Sequence, residues 1–161
     1  MGEKAAGQFN SAKLHHIGVV VKDLDKTIEY LESIGIGPFE FKKGKKAGII
    51  SFNGELHNKP ASWKTKISNA NLQPVQLELL EPAEGNQALQ ESLDKTGEGL
   101  HHIGFITDDL DKEIAKFKKA GVKIWTLSRD KNDAGFLYTE PVPAGGIAIE
   151  YRSFGKQPGP Q

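Results

Sequence analysis

Two histidine pairs and two strand-borne glutamates are the residues of this 161-residue chain best suited to chemistry. The pairs are His15 with His16 in "LHHIGVVVKDLDK", beginning at Leu14, and His101 with His102 in "LHHIGFITDDLDK", beginning at Leu100. The glutamates are Glu78 in "VQLEL" and Glu150 in "IAIEY". Imidazole nitrogen and carboxylate oxygen in a two-by-two set suit one divalent ion of the Mn, Fe, Co, Ni or Zn series, with coordination positions left for water or substrate. Carboxylates are rarely buried unless paired or metal-bound, so glutamates in otherwise apolar strands call for such a partner.

The two histidine segments are copies. At a constant offset of 86, residues 14–35 and 100–121 share 11 identities in 22 positions, among them both histidines, the Ile-Gly that follows, and the Asp-Leu-Asp-Lys beyond. A period this long is outside the range of solenoids and propellers, so it marks two half-domains packed as an internal pseudo-dimer.

Each copy must supply elements that aim these groups. The runs "IGVVV" and "IGFIT" read as strands, followed by helices capped by Asp23 and Asp109 and ended at Gly35 and Gly121. "PFEFKK", "WKTKIS" and "VQLELL" are the further strands expected in the first half, and "VKIWTL", "GFLYTE" and "IAIEYR" in the second. Each half therefore reads β-α-β-β-β. Side chains alternate along a strand, so His16 lies opposite the apolar face of Ile17, Val19 and Val21, and His102 does likewise. Glu78 and Glu150 lie opposite Leu77, Leu79, Ile149 and Tyr151 by the same parity, which directs His16, Glu78, His102 and Glu150 into one cavity. His15 and His101 are left as packing residues, and His57 as a solvated one.

The expected organisation is one domain over 1–161: module 1 at about 14–80, a linker at 81–99 with a short helix, module 2 at about 100–152, and a disordered tail at 155–161. "KKGKKAGIISFNGELHNKP", Lys42 to Pro60, has no evident partner in the second half and is read as an insertion projecting at the cleft mouth.

Composition narrows the function classes. A hydrophobic share of 37%, a charged share of 26% and a formal net charge of zero fit a soluble globule and give no footprint for nucleic acid or an anionic membrane. Cysteine is absent, which removes disulfides and thiolate metal sites. "MGEKAAGQFN" has no apolar signal core, and Ala6 departs from the myristoylation pattern, so a cytoplasmic location is expected.

Taken with "HHIGVVVKDLDKTIEYLESIGIGPF", "LELLEP" and "GEGLHHIGF", the chain resembles the vicinal oxygen chelate superfamily, the glyoxalase and bleomycin-resistance fold, from about Leu14 to Phe154. The likeness is strongest toward the glyoxalase I and methylmalonyl-CoA epimerase branch. It implies an α+β fold of two βαβββ modules in one curved, U-shaped mixed sheet around a divalent metal. It also implies His16, Glu78, His102 and Glu150 as ligands, with Glu150 as the catalytic base. The implied chemistry is proton transfer next to a carbonyl through a metal-stabilised enolate, on a small-molecule carbonyl, thiohemiacetal or acyl-CoA substrate. A homodimer is compatible with the likeness.

One departure distinguishes the two activities. Where such epimerases carry a second catalytic glutamate, this sequence offers Ser51 or Lys66, with Glu55 as a displaced carboxylate. The alternatives are a metal-free ligand-sequestering protein with Trp63 and Trp125 lining its cleft and, ranked last, an extradiol-type dioxygenase. "KKGKK" around Lys42 to Lys46 is a candidate for contacting CoA phosphates.

Overall fold

The computed structural model describes residues 13–141 and 145–155. The N-terminal segment without an apolar signal core and most of the C-terminal tail expected to be disordered lie outside the described residues.

The first repeat contributes β1 (Lys13–Val20), α1 (Leu24–Ser33), β2 (Phe39–Glu40), β3 (Gly48–Leu56), β4 (Lys59–Asn71) and β5 (Gln76–Pro82). After α2 (Gln87–Thr96) come β6 (Gly99–Ile106), α3 (Leu110–Lys119), β7 (Ile124–Arg129), β8 (Ala134–Thr139) and β9 (Ala148–Phe154). The nine strands among the described residues share one sheet, ordered β2-β4-β3-β7-β8-β9-β6-β1-β5 with a further β4–β5 pairing. The parallel pairs β1–β5 and β6–β9 correspond across the repeat, and the antiparallel β1–β6 ladder is the seam between the halves. The arms of this curved mixed sheet meet at the far side through the short β3–β7 ladder, Glu55↔Leu127 and Leu56↔Thr126, with the His57 amide donating to the Trp125 carbonyl beside it at 2.8 Å.

Helix starts follow from local chemistry. Asp23 accepts from the Lys26 amide and Asp109 from the Lys112 amide, each at 3.0 Å, satisfying one of the donors that a first turn leaves free. The apolar strand faces then pack outward onto these helices: Val19, Val21, Leu77 and Leu79 against Leu24 and Ile28 of α1, and Ile149 and Tyr151 against Leu110 and Phe117 of α3. The inner face is filled by Phe52, Trp63, Trp125, Phe136 and Tyr138, with Ala88 of α2 among them. Leu89 and Leu93 of α2 close the inner face over Val20, Ile67 and Leu80.

The expected insertion is corrected. Its residues 48–56 are β3, a full module strand equivalent to β7, whereas "PFEFKK" supplies only the two-residue β2 beside the C-terminal end of β4. "IISFNGEL" conceals a strand because Asn53-Gly54 reads as a turn. The actual turn is His57-Asn58, both at positive φ (49° and 59°), which joins β3 to β4 as a two-residue hairpin. Gly54 is required within the strand because a Cβ there would collide with the Leu127 carbonyl of β7.

Candidate metal centre

The β1–β6 ladder carries an extra residue on each strand. Leu14 pairs with Phe105 and His16 with Gly104, so His15 is bulged out of register; Gly18 pairs with His102 and Val19 with Leu100, so His101 is bulged likewise. A bulge breaks strict alternation. Both imidazoles of each pair therefore come together, with His15 Nδ1 and His16 Nδ1 2.9 Å apart and His101 Nδ1 and His102 Nδ1 at the same distance. The strand alternation used for His15 and His101 misses this contact.

The second ring nitrogen of each inner histidine faces the opposite module. His16 Nε2 and His102 Nε2 are 3.0 Å apart, and each lies 2.8 Å from Glu150 Oε2. Glu78 Oε2 lies 3.5 and 3.4 Å from the same nitrogens. All four residues are fully buried, and their ligand atoms lie within 4.8 Å of one another. The four positions chosen from the sequence are thus one cluster.

The cluster can hold a metal ion. Ligands about 2.1 Å from a tetrahedral ion are about 3.4 Å apart, close to the spacings here. Glu78 Oε2 is buried without a hydrogen-bond donor, as an oxygen awaiting a cation would be. With Nε2 of His16 and His102 left as acceptors toward an ion, their Nδ1 atoms carry the protons and donate to His15 and His101, which fixes the tautomers. Burial and the neighbouring His102 push His101 down to about 3, so it is neutral and able to accept. Burial and His16 lower His15 as well.

Sequence reasoning also passed over Arg152. Its Nε donates to Glu150 Oε1 at 3.0 Å and its Nη2 to Glu78 Oε1 at 3.1 Å. Burial alone would push both carboxyls up; Arg152 first, with the histidines, outweighs it, holding Glu78 at about 2 and Glu150 well below the usual range. Burial opposes the charged form of His102 too, but Glu150 and Glu78 raise it to about 9 in the metal-free protein. Tyr138 pairs with Glu150 between β8 and β9, its ring 4.8 Å from that of His102, and burial raises its phenol well above the ordinary value.

The other candidates do not join the cluster. On β3 and β4 the side chains turned inward include Ile50, Phe52, Leu56, Ala61, Trp63, Thr65 and Ile67. Ser51 and Glu55 alternate with these and are exposed, and Lys66 pairs outward with Asp25 of α1 at 2.6 Å. Trp63 and Trp125 are both buried in the interior. His57, at the hairpin tip, is 3.5 Å from Glu140. In the basic run, Lys46 is paired with Glu32. A cavity of about 480 Å³ lies between α2 and the start of β6, lined by Ser92, Lys95, His101 and Trp125 among others. It reaches His101, one imidazole away from the ligand cluster. Within the sheet, a void of about 30 Å³ touches Glu78, Arg152 and Tyr138.

Residues 15–138 match the glyoxalase/bleomycin resistance protein/dioxygenase superfamily. The chain belongs to this superfamily. It is 24% identical over 125 residues to YqjC, an uncharacterised protein of Bacillus subtilis (strain 168), covering 74% of this chain and 89% of that protein. Among solved structures it is similar to the hypothetical protein BH1468 of Bacillus halodurans C-125, with a TM-score of 0.61 and 23% identity over 94% of this chain and all of that one. It is also similar to Streptomyces coelicolor methylmalonyl-CoA epimerase in complex with 2-nitronate-propionyl-CoA, with a TM-score of 0.58 and 23% identity over 88% of this chain and 96% of that chain. At these identities the structural likenesses establish the shared superfamily fold. Among the described residues no helix is long and apolar enough to cross a membrane.

Proposed function

We propose that this superfamily member is a divalent-metal-dependent enzyme that moves a proton at a carbon next to a carbonyl. The observation that carries the reading is the fully buried His16-Glu78-His102-Glu150 set, with ligand atoms converging within 4.8 Å. Zn, Ni, Co, Mn or Fe suits such a donor set, and the bound ion would supply Lewis acidity to the substrate oxygen, a contribution of several kcal/mol to an enolate-forming step.

The chain's own groups divide the remaining work. Glu150 is ionised across the neutral range, as a base must be, and is the carboxylate assigned to accept the carbon-bound proton. Glu78 serves as a ligand. No carboxylate stands on the inward faces of β3 and β4, which favours chemistry with one carboxylate base over the two-base racemisation of an epimerase. The substrate class is a small carbonyl compound, thiohemiacetal or acyl-CoA. The cavity beside His101 is within the size range of small-molecule sites.

The test joins metal analysis to isotope exchange. Protein purified without added metal should contain one divalent ion per chain, and a thermal-shift screen of acyl-CoA and glutathione adducts identifies the substrate. Solvent deuterium should then enter the carbon acid during turnover by the wild type and not by Glu150→Gln, whose amide oxygen can still coordinate. Exchange at the wild-type rate in metal-loaded Glu150→Gln would remove Glu150 as the base. A chain that stabilises on adding ligand yet takes up no metal would be a sequestering protein instead.

A further inference from the structure

We infer that Arg152 is a positioning residue that chooses which oxygen of each glutamate faces the metal, holding both carboxylates to single-oxygen coordination. The inference rests on the metal site proposed above and concerns how that site is kept in shape.

The geometry divides the four carboxylate oxygens into two pairs. Arg152 Nε takes Glu150 Oε1 at 3.0 Å and Nη2 takes Glu78 Oε1 at 3.1 Å. Both Oε2 atoms are left to point at the imidazole nitrogens. A carboxylate beside a metal can swing between one-oxygen and two-oxygen contact; a strong donor fixed on one oxygen removes the second mode. The guanidinium is suited to this because its donors are held in a rigid planar fork, whereas an ammonium is a single point of charge. Here one fork spans two carboxylates from different modules, Glu78 on β5 and Glu150 on β9. It therefore ties the halves of the site together as well as orienting each ligand.

Arg152 also breaks the repeat. It follows Glu150 by two residues, and the residue two beyond Glu78 is Leu80, which packs against Leu89 and Leu93 of α2. One module supplies the clamp for both. With two neutral imidazoles, two carboxylates and a divalent ion summing to zero, Arg152 leaves the enclosure with one net positive charge. That residual charge suits a substrate oxygen that becomes anionic during reaction.

The test uses Co²⁺, whose visible bands weaken as coordination rises from four toward six. Wild-type, Arg152→Gln and Arg152→Lys proteins are loaded with Co²⁺, and their spectra and Co²⁺ dissociation constants are compared. Arg152→Gln should keep Co²⁺, since losing a nearby positive charge does not weaken cation binding, while its visible bands lose intensity and shift. Arg152→Lys should resemble Arg152→Gln, because charge without the fork cannot hold two oxygens. Bands identical to wild type in either variant overturn the clamp while leaving the metal site standing. Should Arg152→Gln fail to fold, Glu78→Gln/Arg152→Gln, which removes one charge of each sign, is compared with Glu78→Gln alone. A further shift on removing the arginine supports the clamp, and none overturns it. Wild-type protein that takes up no Co²⁺ overturns the metal site and this inference together.

Discussion

Gly104 stands opposite His16 across the β1–β6 ladder, and a Cβ on Gly104 would lie 2.1 Å from His16 Cε1, in collision with the imidazole. Gly18 has the same relationship to His102. The glycine of each "HHIG" is thus the space into which the other module's ligand folds. Alanine at position 104 or 18 should leave the strands paired, because neither glycine needs a positive φ, yet displace the imidazole. The expected result is a loss of metal affinity of about 10- to 100-fold with unchanged far-ultraviolet circular dichroism. Competitive titration against a chelator reads it, and wild-type affinity in Gly104→Ala would contradict the role given to the glycine.

The protonation of the cluster in metal-free protein makes its stability depend on pH in a defined direction. His102 is raised to about 9 in the folded protein from 6.5, so its contribution is complete below about pH 6.5 and is lost as pH rises through about 9. Glu78 is lowered to about 2 from 4.5, so its contribution is present above about pH 4.5 and is lost as pH falls through about 2. Chelator-treated protein should therefore lose Tm on the alkaline side. Metal-loaded protein should lose less there, because a coordinated imidazole carries no proton on the ligating nitrogen. Calorimetric metal titrations in buffers of different ionisation enthalpy should reveal proton release near neutral pH; equal heats in all buffers would rule out a protonated His102 in the metal-free protein.

His101 offers a test of the outer histidines. His101→Phe keeps an aromatic ring beside Trp125, whose present stacking distance is 5.8 Å, but removes the acceptor for His102 Nδ1. Metal affinity should fall by about 10-fold or more. His101→Asn, which offers a carbonyl oxygen, should recover part of it. If the phenylalanine variant binds metal as tightly as wild type, His101 serves packing alone.

Much of this architecture was legible in the sequence because duplication doubles every signal. The repeated Asp caps mark the helix starts that the structure has, and the apolar faces of β1 and β6 and the alternation around Glu78 and Glu150 point to the same inward face as the structure. Two features were hidden for physical reasons. Bulges at His15 and His101 break the two-residue period on which alternation rests, so the contact between adjacent imidazoles leaves no mark in the pattern. Arg152 has no equivalent in the first half, where Leu80 stands, and symmetry cannot find an unrepeated residue. β3 was obscured by Gly54, present for the close approach of β7, in a segment whose Asn-Gly imitates a turn.

Access to the buried site leads to the last prediction. His16, Glu78, His102 and Glu150 have no exposed surface, and α2 covers the inner face of the sheet with Ala88, Leu89 and Leu93. Exchange of metal with solvent therefore requires an opening, and α2 is one candidate cover: three of its side chains are buried, and its N-cap Asn86 accepts from the Leu89 amide at 3.1 Å and donates to the Thr65 hydroxyl of β4 at 2.8 Å. The alternative opening is the β3–β7 contact, where the ladder has two residue pairs and the Ser128 hydroxyl donates to the Asn53 carbonyl at 2.9 Å. Leu93→Ala, at 9% exposure, removes part of the α2 packing and should destabilise the folded chain by about 2–3 kcal/mol, near the low end for buried leucine. If α2 is the gate, most of that cost falls on the closed form, and metal extraction by excess chelator should accelerate about 10-fold or more. A Leu56→Ala substitution within the β3–β7 contact should then leave extraction unchanged. Faster extraction in Leu56→Ala, with Leu93→Ala behaving as wild type, would move the entrance to the gap between the two arms of the sheet.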